Sequence, residues 1–383
     1  MSILRSLDGT FIWLGFYVLP FIVLMSVIVF VHELGHYLAG RLFKLRIDAF
    51  SLGFGPELIG RVDSRGTRWR LAAFPIGGYV NFYAEGGVAN AGGDETFQTM
   101  TPEERAHTLT GAKLYQRAIV VFAGPVANFL LALVIFTGMF MAYGRDVHLP
   151  RIAQVEAASP AAAAGLQPGD MVLSANGAAI GSFEALQQVV IESTGLPIAL
   201  VVDRGGQSIA LTATPALTLI DQGPLGKRRM AHLGIGASRT PADTRHLTCG
   251  ALACVQWGAA QIGDIVHQTV SYVVGLVAGR ESVDQVSGPI EVSHIAGEIA
   301  KVSPVELFSL AGLFSVSVGL MNLLPIPLLD GGHLLFYAIE AVSRRPLNKQ
   351  VQEFALKIGI AVVAFLVLFT TSHDLWRLLG LAN

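Results

Sequence analysis

The chain has 383 residues, of which 52% are hydrophobic and only 14% charged, with a formal net charge of −2. That is too apolar and too sparsely charged for an ordinary soluble domain, and the near-neutral balance leaves no basic footprint for nucleic acid. Two cysteines, Cys249 and Cys254, exclude a disulfide-rich scaffold and a cysteine-based zinc site. Five residues apart in one stretch, they read as ordinary thiols and not as a bridge.

The first apolar run, Phe11 to Val31, carries no charge and continues to about Leu42, long enough to cross a membrane. Arg5 precedes it, but no small-residue cleavage site follows before His32, so it reads as a retained span and not a removable signal peptide. At its end stands His32-Glu33-Leu34-Gly35-His36. Residues i and i+4 project from one helical face about 6 Å apart along the axis. Two imidazoles can therefore meet one metal, with the intervening Glu placed as a base for water. Ionisable groups inside a span cost roughly 2.5–3.5 kcal/mol each on insertion scales, which points to chemistry and not to packing.

Next, Arg68–Phe74 and Tyr79–Tyr83 read as short strands around a hairpin turn at Pro75-Ile76-Gly77-Gly78, and the Gly-rich stretch Glu85 to Asp94 as a mobile connection. A second span is uncharged from Ala118 to Gly144. Ile152–Pro215 then predicts a compact α+β domain. Its strands are Ile152–Val155, Met171–Ala175, Ile198–Asp203 and Ser208–Thr212; its helices are Pro160–Ala164 and Phe183–Ser193. Gly165-Leu166-Gln167-Pro168-Gly169-Asp170, followed by Asn176-Gly177, resembles the signature of PDZ domains of the bacterial protease-associated kind, in a single copy. From Trp257 to Val277 apolar residues recur at helical spacing, fitting an amphipathic helix on the membrane surface or one packed beneath the inserted domain. A third span is uncharged from Leu307 to Leu329, and a fourth, about Phe354 to Ser372, contains Lys357 near one end.

The expected fold class is a polytopic α-helical membrane protein of about four transmembrane helices, with a membrane-associated β-hairpin and one inserted periplasmic α+β PDZ domain. The expected divisions are a membrane half over 1–145, the PDZ domain over 146–220, a linker with the surface helix over 221–304, and a second membrane half over 305–383. Basic residues set the orientation. Arg41, Lys44 and Arg46 follow the first span, Lys113 and Arg117 precede the second, and Arg344, Arg345 and Lys349 separate the third and fourth. All share one face if the chain crosses four times, so that face is cytoplasmic, with 145–304 outside.

Two histidines leave a zinc ion short of a third protein ligand. The third span ends in Asn322-Leu323-Leu324-Pro325-Ile326-Pro327-Leu328-Leu329-Asp330-Gly331-Gly332. Two prolines break the helix, which membranes tolerate only where backbone is buried in protein or lines a wet cavity. Asp330, at the depth of the two histidines, reads as the missing ligand.

The chain resembles the site-2 protease family of intramembrane zinc metalloproteases, in the bacterial branch typified by the regulator of sigma-E protease. The resemblance rests on His32 to His36 in the first span, Gly124 to Phe129 (G-P-V-A-N-F) in the second, Asn322 to Gly332 in the third and the interposed PDZ segment, in the family's order from about Phe11 to Leu379. It implies Zn2+ held by His32, His36 and Asp330, with Glu33 as general base. It implies that Asn128 and Asn322 hold substrate near the metal, and that the hairpin with Gly77, Gly78 and Tyr79 engages substrate as an extended strand. The implied function is cleavage of transmembrane segments of single-pass membrane proteins, such as a pre-trimmed anti-sigma factor or signal-peptide remnants. The setting would be the bacterial inner membrane, with the active site near the cytoplasmic side and a possible site-1 type protease acting first. The best-known sigma-E-type members carry two tandem PDZ domains and this chain shows one, expected to act as a filter against bulky ectodomains or to recruit substrate through Gly165 and Leu166. The rival readings are a transporter, which shares broken helices and intramembrane acids but shows repeated halves, and a catalytically silent PDZ membrane adaptor.

Overall fold

Crossing the hydrocarbon layer takes about 20 apolar residues. In the computed structural model, four helices among the described residues meet that length and composition: Gly15–Leu42, Leu114–Tyr143, Val305–Asn322 and Gln350–Trp376. The structure describes residues 14–83, 99–193, 195–221, 227–238, 240–279, 288–345 and 347–378; Phe11, Leu379 and the stretch Glu85 to Asp94 lie outside them. The chain divides into two compact units, Met1–Gly138 with Val255–Gly275 and Val286–Asn383, and Met139–Cys254 with Leu276–Gln285.

In the first unit a π-helical turn, Leu14–Val18, leads into α1, Leu19–Leu42. Pro20 sits at the junction where the π-helical turn passes into α1. Leu24 and Ile28 pack with Ala296 and Leu310, while Leu19, Val23, Val27 and Leu38 are exposed, as suits a helix whose solvent is lipid.

The hairpin differs from expectation. β1, Ile47–Val62, pairs antiparallel with β2, Arg68–Phe82. The chain reverses between them at Asp63, whose carboxylate accepts from the backbone N–H groups of Arg65 and Thr67. Around Pro75 the second strand bends, so that Phe50 lies opposite both Trp69 and Val80, and Leu52 opposite both Leu71 and Gly78. The two segments expected to pair with each other instead flank Ala49–Leu52. Packing decides this register: Phe50 is 2% exposed, stacks on Trp69 at 4.4 Å and meets Tyr37 of α1 edge-on.

α2, Pro102–Ala106, starts in a capping box made by Thr101 and Glu104. α3, Leu114–Tyr143, carries Pro125 in its interior and buries Val120, Gly124 and Asn128.

The second unit holds β3, Arg145–His148; β4, Ile152–Val155; α4, Pro160–Ala163; β5, Met171–Ala175; β6, Ala178–Ala179; α5, Phe183–Glu192; β7, Ile198–Arg204; and β8, Gln207–Ala213. After these come β9, Ala216–Asp221; β10, Lys227–His232; β11, Ile235–Ala237; and β12, Thr244–Leu247. The largest sheet has the order β6-β5-β7-β8, while β4 pairs with β11 and β3 with β12. Alternating Ile198, Leu200 and Val202 point into a core with Val172, Leu186 and Ile152. That core also takes in Ala231 and Leu233, beyond the Ile152–Pro215 stretch. Cys249 and Cys254 form a disulfide, contrary to the free-thiol expectation. Cys249 precedes the helix that begins at Ala251, and the entering chain curls back to bring its Cα within 5.4 Å of that of the fully buried Cys254.

That helix is α6, Ala251–Val277, which contains the expected amphipathic stretch; Cys254 and Ile265 are buried and Val270 and Val274 exposed. α7, Pro289–Val302, is capped by Asp374, whose carboxylate accepts from the N–H groups of Gly288, Ile290 and Glu291. α8, Pro304–Asn322, stops short of Pro325 and Pro327, at the break expected from two prolines that cannot donate helical bonds, although the uncharged run continues to Leu329. Asp330 opens a new helix, α9, Asp330–Ser343, and α10, Lys349–Leu378, closes the described chain.

Candidate metal centre

Helical spacing on α1 sets His32 and His36 one turn apart, ring edge to ring face, with Nε2 atoms separated by 3.1 Å. The break after α8 brings Asp330 to them: its Oδ2 lies 3.1 Å from Nε2 of His32 and 3.4 Å from Nε2 of His36. One ligand atom from each of the three residues falls within 4.8 Å of the others. Two glycines make room. A Cβ at Gly124 of α3 would lie 2.3 Å from His36 Nε2, and one at Gly331 would lie 2.3 Å from the carbonyl oxygens of Leu323 and Leu324.

A second layer of contacts fixes the imidazoles. His36 Nδ1–H donates to the Val120 carbonyl at 2.9 Å, which leaves Nε2 as a bare lone pair. His32 Nδ1 lies 3.2 Å from Nδ2 of Asn128, whose Oδ1 is buried without a partner. Amide oxygen and nitrogen exchange places on a half-turn. With the amide turned, Oδ1 accepts from His32 Nδ1–H, the orphaned oxygen is satisfied, and Nε2 of His32 is also a lone pair. The Asn128 carbonyl in turn accepts from Ser315 Oγ of α8 at 2.8 Å.

Two imidazole lone pairs and a carboxylate oxygen this close repel one another, and Asp330 Oδ2 is buried with no hydrogen bond. A divalent cation removes the repulsion. Two neutral nitrogens and one carboxylate are the donor set that zinc accepts in sites that keep a position open.

Glu33 is half-buried, near the backbone N–H of Val80. The end of β2 comes so close to α1 that a Cβ at Gly78 would lie 3.1 Å from Glu33 Cγ. Gly77 and Tyr79 lie on the same stretch, Tyr79 stacked on Phe54. Asn128 is wholly buried behind His32. Asn322 is half-buried at the last residue of α8, and its amide has no hydrogen-bond partner among the described residues. Gly165 and Leu166 belong to the other unit. There Leu166 is 4% exposed, so its side chain is core and not a recruiting surface, and the Gly165 carbonyl accepts from Arg204.

Sequence reading missed one contact of the centre's scaffold. Arg117 of α3 pairs with Glu340 of α9 at 2.6 Å and lies over the Tyr337 ring, tying to α3 the helix that starts with Asp330. The signal available was a lone arginine entering an apolar span.

The family model described as Peptidase family M50 matches residues 20–366. A provisionally named zinc metalloprotease of Rhizobium meliloti is 44% identical over 95% of this chain and 98% of its own length. One of Agrobacterium fabrum is 43% identical over 95% and 97%. Metalloprotease MmpA of Caulobacter vibrioides is 36% identical over 92% and 94%. Among solved structures, the PDZ domain of an SdrC-like protein of Listeria monocytogenes is 21% identical over 24% of this chain and 85% of that domain, with a TM-score of 0.19.

Proposed function

This chain belongs to peptidase family M50, the zinc metalloproteases of the site-2 type, and from that premise we infer that His32, His36 and Asp330 hold the zinc ion while Glu33 is the general base. The observation that carries the assignment is the convergence of two imidazole nitrogens and a carboxylate oxygen from two separated segments, with Glu33 one residue from the first. Bound zinc supplies the positive charge that polarises a peptide carbonyl and makes water a competent nucleophile. Glu33 takes the proton of the attacking water and delivers it to the leaving amine nitrogen. The unpartnered amide of Asn322 donates to the developing oxyanion. Asn128 acts one layer back, holding His32 in the tautomer that leaves Nε2 free.

The substrate is a transmembrane segment of a single-pass membrane protein, such as a pre-trimmed membrane-anchored regulator, after a first cut by a site-1 type protease. A helical substrate hides its carbonyls, so it must unwind locally. Gly78 to Phe82 pair with a strand on one side only, among the described residues, and run past Glu33. That free edge supports docking of the unwound segment by strand addition.

The protein sits in the bacterial inner membrane with the metal near the cytoplasmic face. Arg41, Lys44 and Arg46 after the first span support that orientation. The Cys249–Cys254 disulfide supports an oxidising, periplasmic setting for the inserted domain, which we read as a single PDZ domain from its element order and Gly-Asp turn.

Metal analysis of detergent-purified protein tests the ligand set. Wild type is expected to carry zinc and His36→Ala to lose it; full zinc content in His36→Ala would remove that residue from the set.

A further inference from the structure

The first span ends in charge. Arg41, Lys44 and Arg46 join Arg65 from the β1–β2 turn and His107 from beyond α2 around a cavity of about 540 Å3, in which Glu104 is the sole carboxylate among the described residues. Four permanent cations thus face one acid, and that acid is engaged elsewhere: Glu104 accepts from the backbone and hydroxyl of Thr101. Asp63, on the same turn as Arg65, accepts from three N–H groups of that hairpin. Lys44 and Arg65 pair with no carboxylate through their side chains among the described residues. Arg46 reaches Asp48 only at 3.6 Å and stacks over the Tyr83 ring, and Nε of Arg41 is buried without a partner.

The walls are tied down. Lys44 holds a left-handed conformation, φ 59°, and its carbonyl accepts from His107 Nδ1 at 2.9 Å. The Arg46 N–H donates back to the His107 carbonyl at 2.8 Å. A concave, pre-set group of guanidinium and ammonium donors matches a phosphate oxyanion. Beside it the surface is apolar: on the last turns of the span Leu38 is 57% and Leu42 74% exposed.

We propose that this cavity binds the headgroup of an anionic phospholipid, its phosphodiester held by Arg41, Lys44 and Arg65 and its acyl chains lying along Leu38 and Leu42. A zwitterionic lipid brings its own cation into a cationic cavity, and a soluble phosphate has no use for the apolar flank.

The test is a lipid titration of the full-length protein in detergent at 0.15 M salt, with bound lipid counted by native mass spectrometry. Phosphatidylglycerol is expected to bind at least tenfold tighter than phosphatidylcholine. Lys44→Gln with Arg65→Gln should weaken phosphatidylglycerol about thirtyfold, at about one unit of surface attraction per basic residue. Phosphatidylcholine should be unaffected, and Arg344→Gln with Arg345→Gln should keep the wild-type preference. Retained zinc reports that each variant is folded; if the Gln pair fails that check, Arg65→Gln alone, at an exposed turn, repeats the measurement with a smaller expected loss. Equal affinity for the two lipids, or an undiminished preference in the folded Gln variant, would overturn the proposal. So would inorganic phosphate or chain-free glycerophosphoglycerol binding as tightly as phosphatidylglycerol, which would assign the cavity to a soluble phosphate.

Discussion

Asn128 Nδ2 lies 3.2 Å from Nδ1 of His32, and the other end of the same amide is buried without a partner. With that amide turned so that Oδ1 accepts from His32 Nδ1–H, one side chain on α3 would set which nitrogen of a histidine on α1 is free for the proposed metal. Asn128→Ala should lower zinc affinity about 10–100-fold, the usual cost of losing an orienting partner. A chelator competition series on purified protein measures this; unchanged affinity would show that His32 needs no such partner.

Glu33→Gln should reduce cleavage of a transmembrane substrate by about 10²–10⁴-fold while zinc stays bound, since it removes the base and none of the three ligands. Parallel zinc analysis and single-turnover cleavage read both quantities. Near-wild-type turnover would reject the assigned role.

Asp330→Asn should weaken zinc retention and activity together, because a neutral amide is a poorer ligand than a carboxylate. Metal content after dialysis and the cleavage rate are the two readouts. If both stay near wild type, the third ligand lies elsewhere.

Deleting the inserted domain should relax substrate choice without harming the metal centre. The deletion must run from Ile152 to Ala237, since Ala231 and Leu233 belong to the domain's core. With trimmed and full-length forms of one substrate, the variant is expected to cut both. Loss of cleavage for both, with zinc content intact, would instead identify recruitment as the domain's task.

Asp170 links pH to the stability of that domain. Its buried carboxylate accepts two hydrogen bonds from the Arg204 guanidinium, which holds its pKa below the ordinary 3.8. A lowered folded-state pKa means a contribution that is full well above that ordinary value. It is lost as pH falls below about 4 towards the folded value. Asp170→Asn should cost about 2 kcal/mol at neutral pH, the scale of a hydrogen bond to a charged group. It should also flatten the loss of stability in acid, as read by thermal melts from pH 7 to pH 3. An unchanged acid profile would show that other carboxylates set it.

Much of this protein was legible in its sequence, and for local reasons. Phe11 to Val31 predicts a span because length and absence of charge suffice, and His32 and His36 share a face because four residues make about one helical turn. Ile198, Leu200 and Val202 alternate inward at period two, and the observed β4, β5, β7 and β8 fall within a residue or so of expectation. Pro325 and Pro327 mark the break that ends the third helix, and Leu323 to Leu329 is not helix.

Relations between distant segments were not legible as contacts. Gly53, Gly55, Pro56 and Gly60 disguise β1 as a loop, and only the stacking of Phe50 on Trp69 fixes that strand between the two halves of β2. The disulfide depends on the chain's approach to α6, which spacing alone does not report. Asn128 is one apolar-span amide among many possible substrate contacts until α3 crosses α1 and sets it behind His32. The sequence determined which residue types could bind metal and on which helical face they lie, because periodicity is a property of the local backbone. Tertiary structure decided which nitrogen is left bare and how Asp330 meets two histidines nearly three hundred residues away, because those distances depend on helix crossings and on glycines small enough to permit them.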